Sequence, residues 1–93
     1  MSSNASKPWS ISYVKSAVDD ISELDGSAKR IIKNAIEDKL MVDPLKFGKP
    51  LRRNLSGLFK LRVGDYRIIY QVKENEVIVV IVKVGHRREV YED

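Results

Sequence analysis

Apolar and polar residues alternate on either side of Gly64-Asp65. Phe59, Leu61 and Val63 share one strand face, with Leu58, Lys60 and Arg62 on the other. Beyond the pair, Tyr66, Ile68, Tyr70 and Val72 share a face, opposite Arg67, Ile69 and Gln71. Glycine first in a two-residue loop suits a tight primed turn, because it takes φ > 0 without strain. The pattern therefore predicts a hairpin with one apolar face and one face on which Lys60, Arg62 and Arg67 converge. Upstream, Trp9, Ile11 and Tyr13 alternate with Ser10 and Ser12, which predicts a half-buried first strand.

From Val14 the period becomes helical. Val14, Ala17, Val18, Ile21 and Leu24 form one stripe, opposite Lys15, Asp19, Asp20 and Glu23. Asp25-Gly26-Ser27 ends this helix, and Ser27 is read as the cap of the next. A second helix is expected from Ala28 to Val42, with Ala28, Ile31, Ile32, Ala35, Ile36 and Leu40 as its stripe and Pro44 as its stop. Residues 46 to 55 read as a basic loop, pinned to the core by Leu51 and Leu55. Glu74-Asn75 reads as a turn, and Val77 to Val82 is apolar at every position. That run predicts an interior strand covered on both faces, ended by Gly85. The order β-α-α-β-β-β predicts one α+β domain over residues 8–93. In it a two-helix hairpin packs on a mainly antiparallel four-stranded sheet, and residues 1–7 form a flexible N-terminal tail.

Composition narrows the function. The 93 residues suffice for one core, and 43% are hydrophobic. The chain has no cysteine, which removes thiol chemistry, disulfides and cysteine-based zinc sites. No apolar run approaches a membrane span and no signal peptide opens the chain, so the expected location is cytoplasmic. Residues 1–45 carry six Lys/Arg against seven Asp/Glu, whereas residues 46–93 carry eleven against six. A neutral half and a half with net charge +5 favour a polyanionic partner.

His86 is the only histidine and no carboxylate cluster accompanies it, so neither a metal nor a cofactor is expected. No Gly-rich phosphate loop is present. The remaining constellation is Lys60, Arg62, Arg67, His86 and Arg87, with Tyr91 near it in sequence. Arginines hold phosphate in bidentate fashion and stabilise charge building on its oxygens. RNA carries its own nucleophile, the 2′-OH, and an enzyme that aligns it with the next phosphate needs only cations and proton-moving groups. Plainer readings stand beside this one. Lys60 and Arg62 also suit a solvated strand face, Tyr66 and Tyr70 suit core or cross-strand packing, His86 suits the surface, and Tyr91 suits a side chain folded back onto the sheet.

The stretch Leu51 to Tyr70, which contains Leu61-Arg62-Val63-Gly64-Asp65-Tyr66-Arg67-Ile68-Ile69-Tyr70, and the ending Val84-Gly85-His86-Arg87-Arg88-Glu89-Val90-Tyr91 resemble the RelE/ParE toxin superfamily. The resemblance is closest to RelE-type toxins of type II toxin–antitoxin modules. It implies a RelE-like fold and a ribosome-dependent endoribonuclease that cuts mRNA in the A site. The route would be metal-free 2′-OH attack, giving a 2′,3′-cyclic phosphate and a 5′-OH. Lys60 then corresponds to a charge-stabilising or proton-handling residue, Arg67 to the arginine on the phosphate, Arg87 to one near the leaving group, and Tyr91 to a base-stacking tyrosine. The best-studied member of the family has a second lysine two positions before the one that Lys60 matches, where this chain has Leu58; His86 or Arg62 is available to substitute. Lys46, Lys49, Arg52, Arg53 and Arg62 are expected to contact RNA. The implied partners are a RelB-like antitoxin, the ribosome with its mRNA, and operator DNA through the antitoxin complex. The superfamily's ParE branch implies an alternative, a DNA gyrase poison; a non-catalytic nucleic-acid-binding module is a third reading.

Overall fold

The computed structural model of the chain describes residues 7–51, 57–86 and 88. The expected N-terminal tail therefore lies, but for Lys7, outside the described residues, as do Arg52, Arg53, Arg87 and Tyr91. The chain runs β1 (Ser10–Tyr13), α1 (Lys15–Ser22), α2 (Gly26–Ala35), a π-turn (Ile36–Leu40), a short α3 (Pro44–Phe47), β2 (Lys49–Pro50), β3 (Leu58–Val63), β4 (Tyr66–Lys73), a 3-10 turn (Glu74–Glu76) and β5 (Ile78–His86). The strands form one sheet in the order β1-β5-β4-β3-β2, parallel between β1 and β5 and antiparallel elsewhere.

The hairpin forms as its alternation dictates. Gly64 has φ 59° and Asp65 has no positive φ, the sign pattern of a II′ turn. The register places Leu61 opposite Ile68, Phe59 opposite Tyr70 and Val63 opposite Tyr66. Directly opposed residues share a face, so these six point the same way. They join Val79, Ile81 and Val84 of β5 beneath Ala17, Ile32, Ala35, Ile36 and Leu40 of the helices. Ile68, Tyr70, Val79 and Ile81 are wholly shielded from solvent. Asp20 of α1 ties the helical layer to β5: its Oδ2 accepts from the Val84 N–H at 3.1 Å and lies 3.9 Å from Lys83 Nζ.

Four expectations need correction. The sheet has five strands rather than four, because Lys49–Pro50 adds to the β3 edge opposite Lys60 and Phe59. Two residues, one of them a proline, carry no period-two signal, and proline is tolerated there because the strand is an edge. Asp25, not Ser27, caps α2: its Oδ1 accepts from the Ala28 N–H at 2.8 Å. The loop expected from residue 46 begins inside a helical turn, started by Pro44 at its first position and capped by the Asp43 side chain, which accepts from the Lys46 N–H. Finally, β5 is interior in strand order but is not covered on both faces. The described helices lie over Val79, Ile81 and Val84, while Ile78, Val80 and Val82 remain half-buried.

Candidate functional site

The hairpin's second face carries the charge. Lys60 lies opposite Ile69, and Arg62 lies directly opposite Arg67. Side chains paired in this way have Cβ atoms about 5 Å apart, and like charges so placed disfavour folding by up to about 1 kcal/mol. The hairpin nonetheless sets two guanidinium-bearing residues directly opposite each other on this face. Lys49 in β2 lies opposite Lys60 and shares its face. Gly85 of β5 lies opposite Arg67 on the other side and is buried.

These groups enclose a cavity of about 330 Å³ at the β3 edge. Lys49, Lys60, Arg62 and Arg67 line it from the sheet, and Lys39 and Phe47 from the helical side. Lys39 enters through the π-turn, in which the Met41 N–H bonds the Ile36 carbonyl at 2.9 Å, one residue further than in an α-helix. Phe47 and Lys49 are held by a buried clasp. Tyr70 is completely buried and its hydroxyl donates to the Pro44 carbonyl at 2.7 Å. The Gly48 N–H donates back to the same hydroxyl oxygen, and burial pushes the Tyr70 phenol well above its ordinary value.

His86 does not join this basin. It pairs with Tyr66 in the register, on the helix-covered face, and the two rings meet edge to face with centroids 5.7 Å apart. A β-bulge causes this. Ile69 lies opposite Lys83 and Tyr70 opposite Ile81, so Val82 is left unmatched. Past the bulge the parity of β5 reverses: Val84 and His86 point to the helices, and Gly85 points to the basic face. The Nδ1 of His86 also accepts from the Arg88 N–H at 3.2 Å. The grouping of His86 with Lys60, Arg62 and Arg67 is therefore corrected; together with Asp20, Glu23, Leu24 and Tyr66 it lines a different cavity, of about 320 Å³.

Among the remaining expected contacts, Lys46 is exposed beside the basin with its Nζ 5.8 Å from the Phe47 ring centre. Leu58, two positions before Lys60, is half-buried and shares the face of Lys60. Lys39 and Phe47 are site residues that pattern reading overlooked; the helical stripe marks Lys39 only as polar, and Phe47 sits in a segment without periodicity. Among the described residues no group of three or more His, Cys, Asp or Glu is placed to hold a metal ion.

Away from the basin, Tyr13 and Val18 are 43% and 51% exposed, and with Ile21 they line an apolar hollow of about 260 Å³ on α1. No described helix is long and apolar enough to cross a membrane.

The family model described as the ParE toxin of type II toxin–antitoxin systems, parDE, matches residues 11–91. The chain is 36% identical over 87 residues to Toxin RelG of Mycobacterium tuberculosis, covering 90% of this chain and 97% of RelG. It is 29% identical over 84 residues to Toxin RelE of the same organism, covering 90% and 87%. Its fold matches a chain in the crystal structure of the M. tuberculosis toxin–antitoxin complex RelBE2 with a TM-score of 0.79 and 32% identity, over 87% of this chain and 93% of that one.

Proposed function

The chain belongs to the RelE/ParE superfamily of type II toxin–antitoxin toxins, and from that premise we propose that it is a ribosome-dependent endoribonuclease rather than a gyrase poison. The observation that carries this reading is the basin in which Lys49, Lys60, Arg62 and Arg67 converge from one face of the sheet. Four cations around one small cavity suit a phosphodiester whose charge grows during reaction.

Arg67 is assigned to the non-bridging oxygens, where its planar fork makes two charge-assisted bonds. Lys60 lies diagonally across the ladder from Arg67, at a separation of about 7–8 Å between such positions. A phosphate with its neighbouring ribose bridges that span, so Lys60 reaches the 2′-OH while Arg67 holds the phosphate. The 2′ oxygen attacks phosphorus and loses its proton, the 5′ oxygen leaves and gains one, and a 2′,3′-cyclic phosphate and a 5′-OH result. With His86 on the opposite face, Lys60 and Lys49 are the proton-handling candidates among the described residues. Leu58 then marks a place where the chain departs from the family pattern and Lys49, arriving from β2, supplies the second ammonium. Arg87 and Tyr91 keep the roles that the resemblance implies, the leaving group and base stacking.

The proposed partner is a RelB-type antitoxin in the cytoplasm, and the toxin–antitoxin complex among the structural relatives supports it. The exposed Tyr13–Val18–Ile21 hollow is the proposed seat for its apolar side chains, and acidic segments would neutralise the basin. Operator DNA would be bound through that antitoxin. The test of function is primer extension on translated mRNA after the chain is expressed. Breaks confined to ribosome-bound codons support the nuclease; intact mRNA with gyrase trapped on cleaved DNA supports the ParE-type alternative.

A further inference from the structure

We propose that Phe47 is a stacking platform for one RNA base and that Lys39 neutralises the phosphate beside it, so that the basin takes a complete nucleotide rather than a bare phosphodiester. This rests on the RNA-cleaving reading of the same basin and deepens it.

Phe47 is 39% exposed, although it lies next to two buried residues, Gly48 and, three positions back, Pro44. Its ring lines the cavity that Lys60 and Arg67 also line, so an apolar π-face and phosphate-binding cations share one enclosure. An aromatic ring among cations is the pairing that single-stranded nucleic acid selects: bases stack on the ring and the backbone follows the charges. The cavity of about 330 Å³ exceeds what a phosphate alone requires. The ring's position is also fixed. Tyr70 grips Pro44 and Gly48 on either side of Phe47, so α3 cannot drift from the sheet without breaking a buried hydrogen bond. Lys39 comes from the π-turn, a local widening of the helix that buries Ile36 and Leu40 and delivers a cation to this rim. Lys46, over the same ring, adds a further positive charge.

The probe is a single-stranded RNA hexamer carrying one 2-aminopurine, with a matched hexamer abasic at that position, titrated against the full chain. Binding to wild type should quench the 2-aminopurine. Phe47→Leu keeps apolar bulk without a ring; it should abolish the quench and weaken the base-bearing hexamer about tenfold, leaving the abasic hexamer unaffected. Phe47→Tyr should retain quench and affinity. Lys39→Ala should keep the quench and reduce the salt slope of binding by about 0.7. No quench with wild type, a quench that survives Phe47→Leu, or equal loss for both hexamers would overturn the proposal. Ribosomal mRNA cleavage by wild type is measured in parallel. Cleavage without quenching removes the platform and leaves the nuclease standing, whereas Phe47-dependent quenching without cleavage keeps the platform and removes the nuclease.

Discussion

Gly48 is glycine for space, and the consequence is measurable. Its φ of −93° and ψ of 176° are extended values open to any residue. A Cβ there would meet the Tyr70 hydroxyl, lie 2.7 Å from Tyr70 Cζ and lie 2.9 Å from the Lys60 carbonyl. Two of the obstacles belong to a wholly buried side chain and the third is backbone, so none yields easily. Gly48→Ala should cost about 3 kcal/mol, the upper part of the range for overpacking. Tyr70→Phe removes the hydroxyl that donates to Pro44 and accepts from Gly48, leaving buried polar groups unpaired at a cost of about 1–3 kcal/mol. In the double variant the Cβ no longer meets the hydroxyl, though Cζ and the Lys60 carbonyl remain. The double loss should therefore fall short of the sum by about 1 kcal/mol. Urea unfolding of the four proteins, followed by circular dichroism, gives all the terms of the cycle. Each kcal/mol also corresponds to about 4–8 °C in Tm for a domain of this size. Additivity would refute the reasoning, since it would mean that the Cβ and the hydroxyl never compete for the same space.

Three further outcomes are expected. Burial chiefly, opposed by the Gly48 N–H and assisted by the Asp43 charge, holds the folded Tyr70 phenol above its ordinary 10.0. Above pH 10.0 the unfolded chain thus gives up that proton first, and stability present below this pH declines as pH rises; titration of Tm should show a shallower decline in Tyr70→Phe, and equal slopes would count against the clasp. Replacing Lys46 and Lys49 with Ala should flatten the salt dependence of single-stranded RNA binding by roughly 0.7 per lysine, and an unchanged slope would remove them from the interface. Val18→Asp, at a position 51% exposed, should leave Tm within a few degrees yet weaken antitoxin binding at least about tenfold, the loss of one buried valine; calorimetric affinity equal to wild type would place the antitoxin elsewhere.

The sequence and the structure agree where periodicity is unambiguous. The alternation from Phe59 to Val72 and the glycine at 64 define the hairpin, and with it the shared face of Lys60, Arg62 and Arg67. The stripe from Ala28 to Leu40 defines the second helix, apart from its π-turn. The failures occur where the pattern carries no phase. Val77 to Val82 is apolar throughout, so nothing in it records which residue faces the helices. The bulge at Val82 is consequently invisible, and it alone decides that His86 faces the helices rather than the charged side of the hairpin. Lys49–Pro50 is too short to alternate, yet it sets Lys49 against Lys60. Asp25 and Ser27 are both good caps by chemistry, and only the backbone selects between them.

The central claim is that this chain cleaves RNA through Arg67, and the most direct measurement is single-turnover cleavage of ribosome-bound mRNA at saturating toxin, with the new 3′ ends analysed chemically. Wild type should yield 2′,3′-cyclic phosphate and 5′-OH ends. Arg67→Ala should fold, as judged by melting, and cleave about 100-fold more slowly, the loss of one transition-state donor worth roughly 3 kcal/mol. Arg67→Lys should recover only part of that rate, because an ammonium lacks the planar fork. A folded Arg67→Ala protein that cleaves at the wild-type rate, or a wild type that leaves mRNA intact while trapping gyrase on DNA, would contradict the account.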